Sequence, residues 1–257
     1  MIAMLSEKRR NDLLAHVRTR RTVSVEDLAE LLDVSVSTVR RDLDALDGHG
    51  LLRRVHGGAM ALDGGPDEPP IAERSIANPG EKRRIAAEAA KLVSPGGVIL
   101  LTGGSTTAQM VPHLVTVPGL TVVTNSVAIA YAIGTASATT QVLVLGGLMR
   151  NAELSLLGHL TTQALTDLRI DAGFFSAYGV DPAYGMLGAH LAEAETDRSM
   201  IAAATRLVVL ADHTKFTRRS AVRIAPLSGI DTLVTDTRTP PGAVTALRTA
   251  GVTVVTA

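Results

Sequence analysis

"SVSTVRRDLDAL" (residues 35–46) puts Val39, Leu43 and Leu46 at i, i+4 and i+7, the spacing of a helix with one buried face. At about 100° per residue from Val39, Ser37 points about 160° away and Arg41 about 200° away, so both face outward with Thr38 and Arg40 beside them. Ser35 stands where its hydroxyl caps the first turn. A helix that shows small hydroxyls and two guanidinium groups suits the DNA major groove: the small residues permit close approach, and arginine's planar fork matches guanine edges and phosphates. The same pattern also fits a solvated face on a plain three-helix bundle.

The flanking sequence extends the pattern. Upstream, Ser6 caps a helix running to about Thr19 with Leu13, Leu14 and Val17 inside, and Ser24 caps a second, shorter helix. Val25, Leu28, Ala29, Leu31 and Leu32 supply the buried stripe of that second helix, and Asp33 marks the turn into the third. Downstream, Gly48-His49-Gly50 leads into "LLRRVHGGA", which reads as a wing. Leu51, Leu52 and Val55 are strand residues, Arg53-Arg54 follow the turn, and Gly57-Gly58 end the segment. Basic side chains on a wing lie on phosphates or in the minor groove.

Charge looks neutral until its distribution is read. The 257 residues carry 25 Lys+Arg against 25 Asp+Glu. In residues 1–58 the ten cations cluster as Lys8-Arg9-Arg10, Arg18 with Arg20-Arg21, Arg40-Arg41 and Arg53-Arg54, and local potential is what binds phosphate. Aromatic residues are only 2% of the chain, which argues against binding bases by stacking. The absence of cysteine excludes disulfides, thiolate metal sites and a cysteine nucleophile. No apolar run reaches the roughly 18 residues of a membrane span and no apolar segment follows the first basic residues, so a cytoplasmic protein is expected. The length predicts two domains: a DNA-binding domain over 1–58, a linker over 59–80 that docks through Ile71 and Arg74, and a second domain over 81–257.

In that second domain, short apolar runs ("GGVILL", "LTVVT", "QVLVLGG", "RLVVLAD", "DTLVTD", "VTVVT") alternate with helical segments. The pattern predicts an α/β fold with a mostly parallel sheet covered on both faces. Ligands of such sheets sit at the carboxyl ends of the strands. There "TGGSTT" (102–107) offers glycines, hydroxyls and amides suited to a phosphate, although the same residues serve ordinary turns and caps. It is not a P-loop, because no lysine follows at the required place. Asn125-Ser126, Gly146-Gly147, Asp181 and Asp212-His213-Thr214-Lys215 follow other strands. The seven histidines show no metal-ligand spacing, and no metal or cofactor is implied.

"VEDLAELLDVSVSTVRRDLDALDGHGLLRRVHGGA", followed in order by "GGSTT", "VVTNS", "VLVLGGLMRN", "EAETDRSMI" and "ADHTKF", resembles the DeoR family of bacterial transcriptional repressors over almost the whole chain. The resemblance implies a winged helix-turn-helix joined to an effector domain of the ribose-5-phosphate isomerase fold. It implies operator contacts from Ser35, Ser37, Thr38, Arg40, Arg41, Arg53, Arg54 and His56. It places the phosphate of a sugar phosphate at Gly104, Ser105, Thr106 and Thr107, and the sugar end at Asn125, Gly147, Arg150, Glu193, Asp212 and Lys215.

Two positions depart from the family. Thr102 replaces a common acidic residue, and Asp197 replaces a lysine four residues after Glu193. Tyr178 stands where small residues are usual and would narrow the pocket. Two other readings stay open: an isomerase with Glu193 as base and Lys215 as its partner, and a DNA-binding protein whose second domain only oligomerises. A single recognition helix per chain implies a homo-oligomer, dimer or tetramer, on double-stranded operator DNA. No membrane partner is expected.

Overall fold

A computed structural model describes residues 9–10, 12–17, 20, 22–48, 51–61 and 68–257. Ser6, Lys8, Arg18, Thr19, Arg21, His49, Gly50 and linker residues 62–67, all within the expectations above, lie outside the described residues. The chain forms two compact units, Met1–Arg74 and Ser75–Ala257.

In the first unit, helical residues 12–17 and the helices Val25–Leu31 and Val36–Gly48 pack over a three-stranded antiparallel sheet. Its strands are β1 (Thr22–Ser24), β2 (Arg53–Val55) and β3 (Gly58–Met60), in the order β1-β3-β2. Two of the three expected caps fall within the described residues and are made: Asp27 N–H donates to Ser24 Oγ at 3.0 Å and Thr38 N–H to Ser35 Oγ at 3.2 Å. Asp33 turns the chain with φ +50°, a left-handed conformation that Asp tolerates better than most residues. Leu13, Leu14, Val17, Val25, Leu28, Val39, Leu43 and Leu46 share one core with Leu52 and Ala59.

Two local expectations need correction. Leu31 is half exposed, because on its seven-residue helix it falls about 110° from the middle of the Leu28/Ala29 stripe. In the wing, Leu51 and Leu52, expected in a strand, form a bend ahead of it; Arg53 and Arg54 stand within β2, and His56-Gly57 is the hairpin turn. Gly57 takes φ +76°, and Gly58 opens the return strand so close to β1 that a Cβ there would sit 2.2 Å from the Val23 carbonyl oxygen. β3 runs to Met60, two residues beyond the expected end of the DNA-binding domain. Arg74, expected to dock the linker, is buried and ion-paired with Glu68 at 3.0 Å.

The second unit is built on seven parallel strands: β4 (Val98–Leu101), β5 (Thr121–Thr124), β6 (Gln141–Val144), β9 (Ala172–Ser176), β12 (Leu207–Leu210), β14 (Thr232–Thr235) and β15 (Thr253–Thr256). Their order is β15-β14-β12-β9-β4-β5-β6. Successive residues alternate between two cores, as a pleated strand requires. Leu100, Val123, Phe175, Val209 and Leu233 enter one core; Ile99, Leu101, Val122, Phe174, Val208 and Val234 enter the other. The helices Pro79–Ala90, Val127–Ala136, Leu191–Ala202 and Pro241–Thr249 pack around this sheet.

Periodicity missed the small elements. These are an antiparallel ribbon of β7 (Leu148–Arg150) and β8 (Ser155–Leu157), and an antiparallel sheet of β10 (Gly179–Asp181), β11 (Gly185–Gly188) and β13 (Val222–Ala225). Asp181 ends β10 and accepts the Ala183 and Tyr184 amides, so it shapes the β10–β11 turn rather than a ligand site. No described helix is long and apolar enough to cross a membrane.

Candidate functional site

On the first unit, the helix Val36–Gly48 buries Val39, Leu43 and Leu46 and turns Ser37, Arg40 and Arg41 outward, with Thr38 half-buried. Ser35 is exposed at its start, its hydroxyl 2.9 Å from that of Ser37 and 2.8 Å from that of Thr38. The wing presents Arg53 and His56 to solvent. Arg54 is committed differently: its Nη1 donates to the Arg40 carbonyl at 3.2 Å and to Asp44 Oδ1 at 3.0 Å, and its amide to Asp47 Oδ1 at 3.1 Å. Arg54 therefore latches the wing to the helix, and a cleft lined by Arg40, Arg54, Val55 and His56 runs between them. Arg40, Arg41 and Arg53 form no ion pair among the described residues, which leaves their charge available to DNA.

Asp42 was not singled out in the sequence. It is buried on the inner flank of the same helix, with Arg9 Nε at 2.6 Å from Oδ2 and Arg10 Nε at 2.8 Å from Oδ1. Two cations that looked like DNA contacts are thus spent inside the protein. Burial works against the Asp42 charge, but the hydrogen bonds from Arg9 and Arg10 outweigh it and hold the carboxyl below the usual range. Asp42 sits about 60° from Val39 on the helical wheel, so its inward position was legible; its partners, more than thirty residues away, were not.

On the second unit, residues 102–107 leave β4 at the carboxyl edge of the sheet, between β5 and β9. Neighbouring strands lock this loop. Gly103 N–H donates to Asn125 Oδ1 at 3.1 Å, Thr107 N–H to Ser176 Oγ at 3.2 Å, and Thr107 Oγ1 to the Gly104 carbonyl at 3.1 Å. At Gly104 a Cβ would lie 2.4 Å from Ser176 Oγ, so the loop packs against β9 only with glycine there. Thr107 is fully buried and its hydroxyl staples the loop. By contrast, the amides of Gly104, Ser105 and Thr106 and the hydroxyls of Ser105 and Thr106 form no hydrogen bond among the described residues. Successive amides with nothing to donate to make an anion-binding concavity.

The other expected residues gather around the same edge. Asn125 Nδ2 donates to the Leu156 carbonyl at 3.3 Å, which ties the end of β5 to the β7–β8 ribbon. Gly147 holds φ +144°, and a Cβ there would meet the Leu157 carbonyl oxygen at 2.5 Å. Arg150, at the end of β7, pairs closely with Glu193 on the helix Leu191–Ala202. Asp197 lies one turn beyond Glu193 on the same face. After β12, Asp212 is buried and its Oδ1 accepts the Thr214 amide at 2.9 Å and the Thr214 hydroxyl; Lys215 follows, also buried.

Thr102 donates to the Phe174 carbonyl at 3.3 Å and so belongs to the backbone ladder of β4 and β9. Tyr178 lies under the Arg218 guanidinium, 4.9 Å from its ring centre.

Sequence reasoning passed over Ser176 and Asp236. A residue directly after the apolar run of β9 was the available signal for Ser176. Asp236, after β14, accepts the His213 amide at 2.8 Å and faces His213 Nδ1 at 3.1 Å. Burial opposes its charge, and the His213 and Arg238 amides together with the His213 ring overcome this and lower its pKa. Among the described residues no group of three or more His, Asp or Glu could hold a metal ion.

A winged helix-turn-helix and an α/β unit with an anion-shaped loop at its sheet edge define a class: DNA-binding regulators that carry their own ligand sensor. Residues 9–64 match the DeoR-like helix-turn-helix domain and residues 77–237 the DeoR C terminal sensor domain. The uncharacterized HTH-type transcriptional regulator YulB of Bacillus subtilis (strain 168) is 32% identical over 95% of this chain and 94% of its own length. The glycerol-3-phosphate regulon repressor of Escherichia coli (strain K12) is 29% identical over 92% of this chain and 93% of its own. Ribose 5-phosphate isomerase A from Methanocaldococcus jannaschii superposes with a TM-score of 0.41 and 20% identity over 55% of this chain and 56% of its own, too remote to carry an argument. The chain belongs to the DeoR family. It is a DNA-binding transcriptional regulator and not an isomerase.

Proposed function

We propose that this regulator is a cytoplasmic repressor of carbohydrate-metabolism genes, released from its operator when a phosphorylated sugar or related small anion binds the second unit. The observation that carries the sensing half is the run of unspent amides and hydroxyls at Gly104, Ser105 and Thr106, opposite the end of β9. A relative named as a glycerol-3-phosphate regulon repressor agrees with a small phosphorylated ligand. Asn125, Gly147, Arg150, Glu193, Asp212 and Lys215 line the sugar end in this reading, and Asp197 in place of a cation shifts the preferred sugar. Thr107 shapes the cradle rather than donating to it. Ser35, Ser37, Thr38, Arg40, Arg41, Arg53 and His56 face the operator, and Arg54 sets the angle of the wing. The chain works as a homo-oligomer on an operator of two half-sites.

Release follows from linkage: a ligand that binds the DNA-incompetent arrangement better lowers DNA affinity by the factor by which DNA lowers ligand affinity. Lys215→Ala is therefore expected to leave operator affinity unchanged and to abolish release by the active compound. An electrophoretic shift titrated with sugar phosphates, glycerol-3-phosphate and inorganic phosphate checks it. Normal release from the variant would remove Lys215 from the pocket, and silence of the wild type toward every compound would leave the second unit as an oligomerisation module.

A further inference from the structure

The two edges of the seven-stranded sheet are unlike. At the β15 edge the exposed side chains are Thr253 and Thr256, a polar border. At the β6 edge Leu143 and Val144 are exposed, whereas the next strand inward, β5, is buried along most of its length. Leu148 and Met149 on β7 are exposed as well, Leu148 to 83%, whereas Tyr131, 74% exposed, stands on the outer face of the helix Val127–Ala136, opposite its buried Ile129 and Ile133. Among the described residues, eight of the twelve large hydrophobic side chains that stand exposed fall within residues 127–160.

The first part of that stretch is empty of charge. Residues 127–149, "VAIAYAIGTASATTQVLVLGGLM", contain no Asp, Glu, Lys, Arg or His. Proteins normally blunt a free sheet edge with lysine, proline or an inward charge, and this edge has none of them. Apolar surface depleted of charge is the signature of an interface core. The missing charge also selects the occupant. Nucleic acid or a charged peptide would find no counter-charge here, whereas an identical copy brings an equally neutral patch and meets no like-charge repulsion. A regulator with one recognition helix per chain needs such a copy to span two half-sites.

We infer that β6 and β7 form the surface through which two copies of this chain associate, patch against patch across a two-fold axis. This rests on the operator-binding reading for its need of a second copy. The surface adjoins the sensing residues: Gly147 and Arg150 bracket Leu148 and Met149, and Arg150 pairs with Glu193. A ligand that redirects Arg150 thus acts within two residues of the contact between copies, which converts ligand binding into a change in the spacing of two reading heads.

Sedimentation of the full chain tests the surface. The wild type is expected at two or more times the 26.8 kDa of one chain. Leu148→Glu on β7 and Val144→Glu on β6, both at exposed positions, are expected to fall to half that mass or less while keeping the wild-type circular dichroism. They should bind a duplex with a single half-site as the wild type does and lose at least tenfold on the full operator. As a second readout, Leu148→Cys introduces one thiol into a chain that has none, and a bismaleimide should join it into a covalent dimer but leave Tyr184→Cys uncrosslinked. A monomeric wild type at micromolar concentration, or wild-type mass in both glutamate variants, overturns the inference. Half-site binding is read separately, so loss of all DNA binding by the wild type would strike the regulator reading and not the interface.

Discussion

Arg41→Ala is expected to weaken operator binding by about 1–3 kcal/mol, roughly 5- to 150-fold, the worth of one bidentate base contact. Arg41 points opposite the buried Val39–Leu43–Leu46 face, is exposed, and forms no ion pair among the described residues, so its removal costs the head no packing. The loss should concentrate at one base pair. A set of operators each altered at one position would show the variant indifferent to the change that hurts the wild type. A loss equal across all sequences, with the salt slope reduced by about one, would instead make Arg41 a phosphate contact.

The largest effect on stability is expected from removing Arg9 and Arg10 together. Asp42 is almost wholly buried, and stripping both guanidinium groups leaves a carboxylate without compensation, a change that costs about 3–5 kcal/mol. The converse variant, Asp42→Ala, should cost less, about 1 kcal/mol, because Arg9 and Arg10 are partly exposed and can turn to water.

Acidification separates the two environments. In the wild type the Asp42 carboxyl is held below its unfolded value, so its stabilisation is present above the ordinary carboxylate range, near pH 4, and is lost as pH falls through the lower folded value. With Arg9 and Arg10 gone, burial alone acts and raises the carboxyl, so protonating Asp42 now relieves a penalty and its contribution to stability rises on acidification. Denaturant melts of the two proteins from pH 7 to pH 3 read the difference between their slopes, because Asp236 contributes equally to both; coincident slopes would show that Asp42 does not depend on this pair.

Much of this molecule was legible because its sequence repeats elementary patterns. Ser24 and Ser35 precede apolar stripes and cap them. Six of the seven strands of the parallel sheet are short runs of β-branched and aliphatic residues, so the sheet and its ligand edge could be placed; the central β9, Ala-Gly-Phe-Phe-Ser, does not share that composition. What escaped is non-local or very short. β1, β7 and β10 have three residues each, too few to show a period. Arg9, Arg10 and Arg54 look identical to DNA-facing arginines until the carboxylates they meet are known. Thr107 and Ser105 are alike in sequence, and only the close approach of Ser176 decides that one hydroxyl staples the loop while the other stays available.

The strand order also governs how the chain comes together. β9 lies between β4 and β12, with Ile99 opposite Ala172, so the middle of the sheet cannot close until a span of some seventy residues has been drawn into register. In the first unit the widest strand pairing, Thr22 with Met60, spans about half that distance. Closing longer loops loses more chain entropy and slows folding. The head is therefore poised to assemble quickly on its own, with the sensor following as a late, cooperative block.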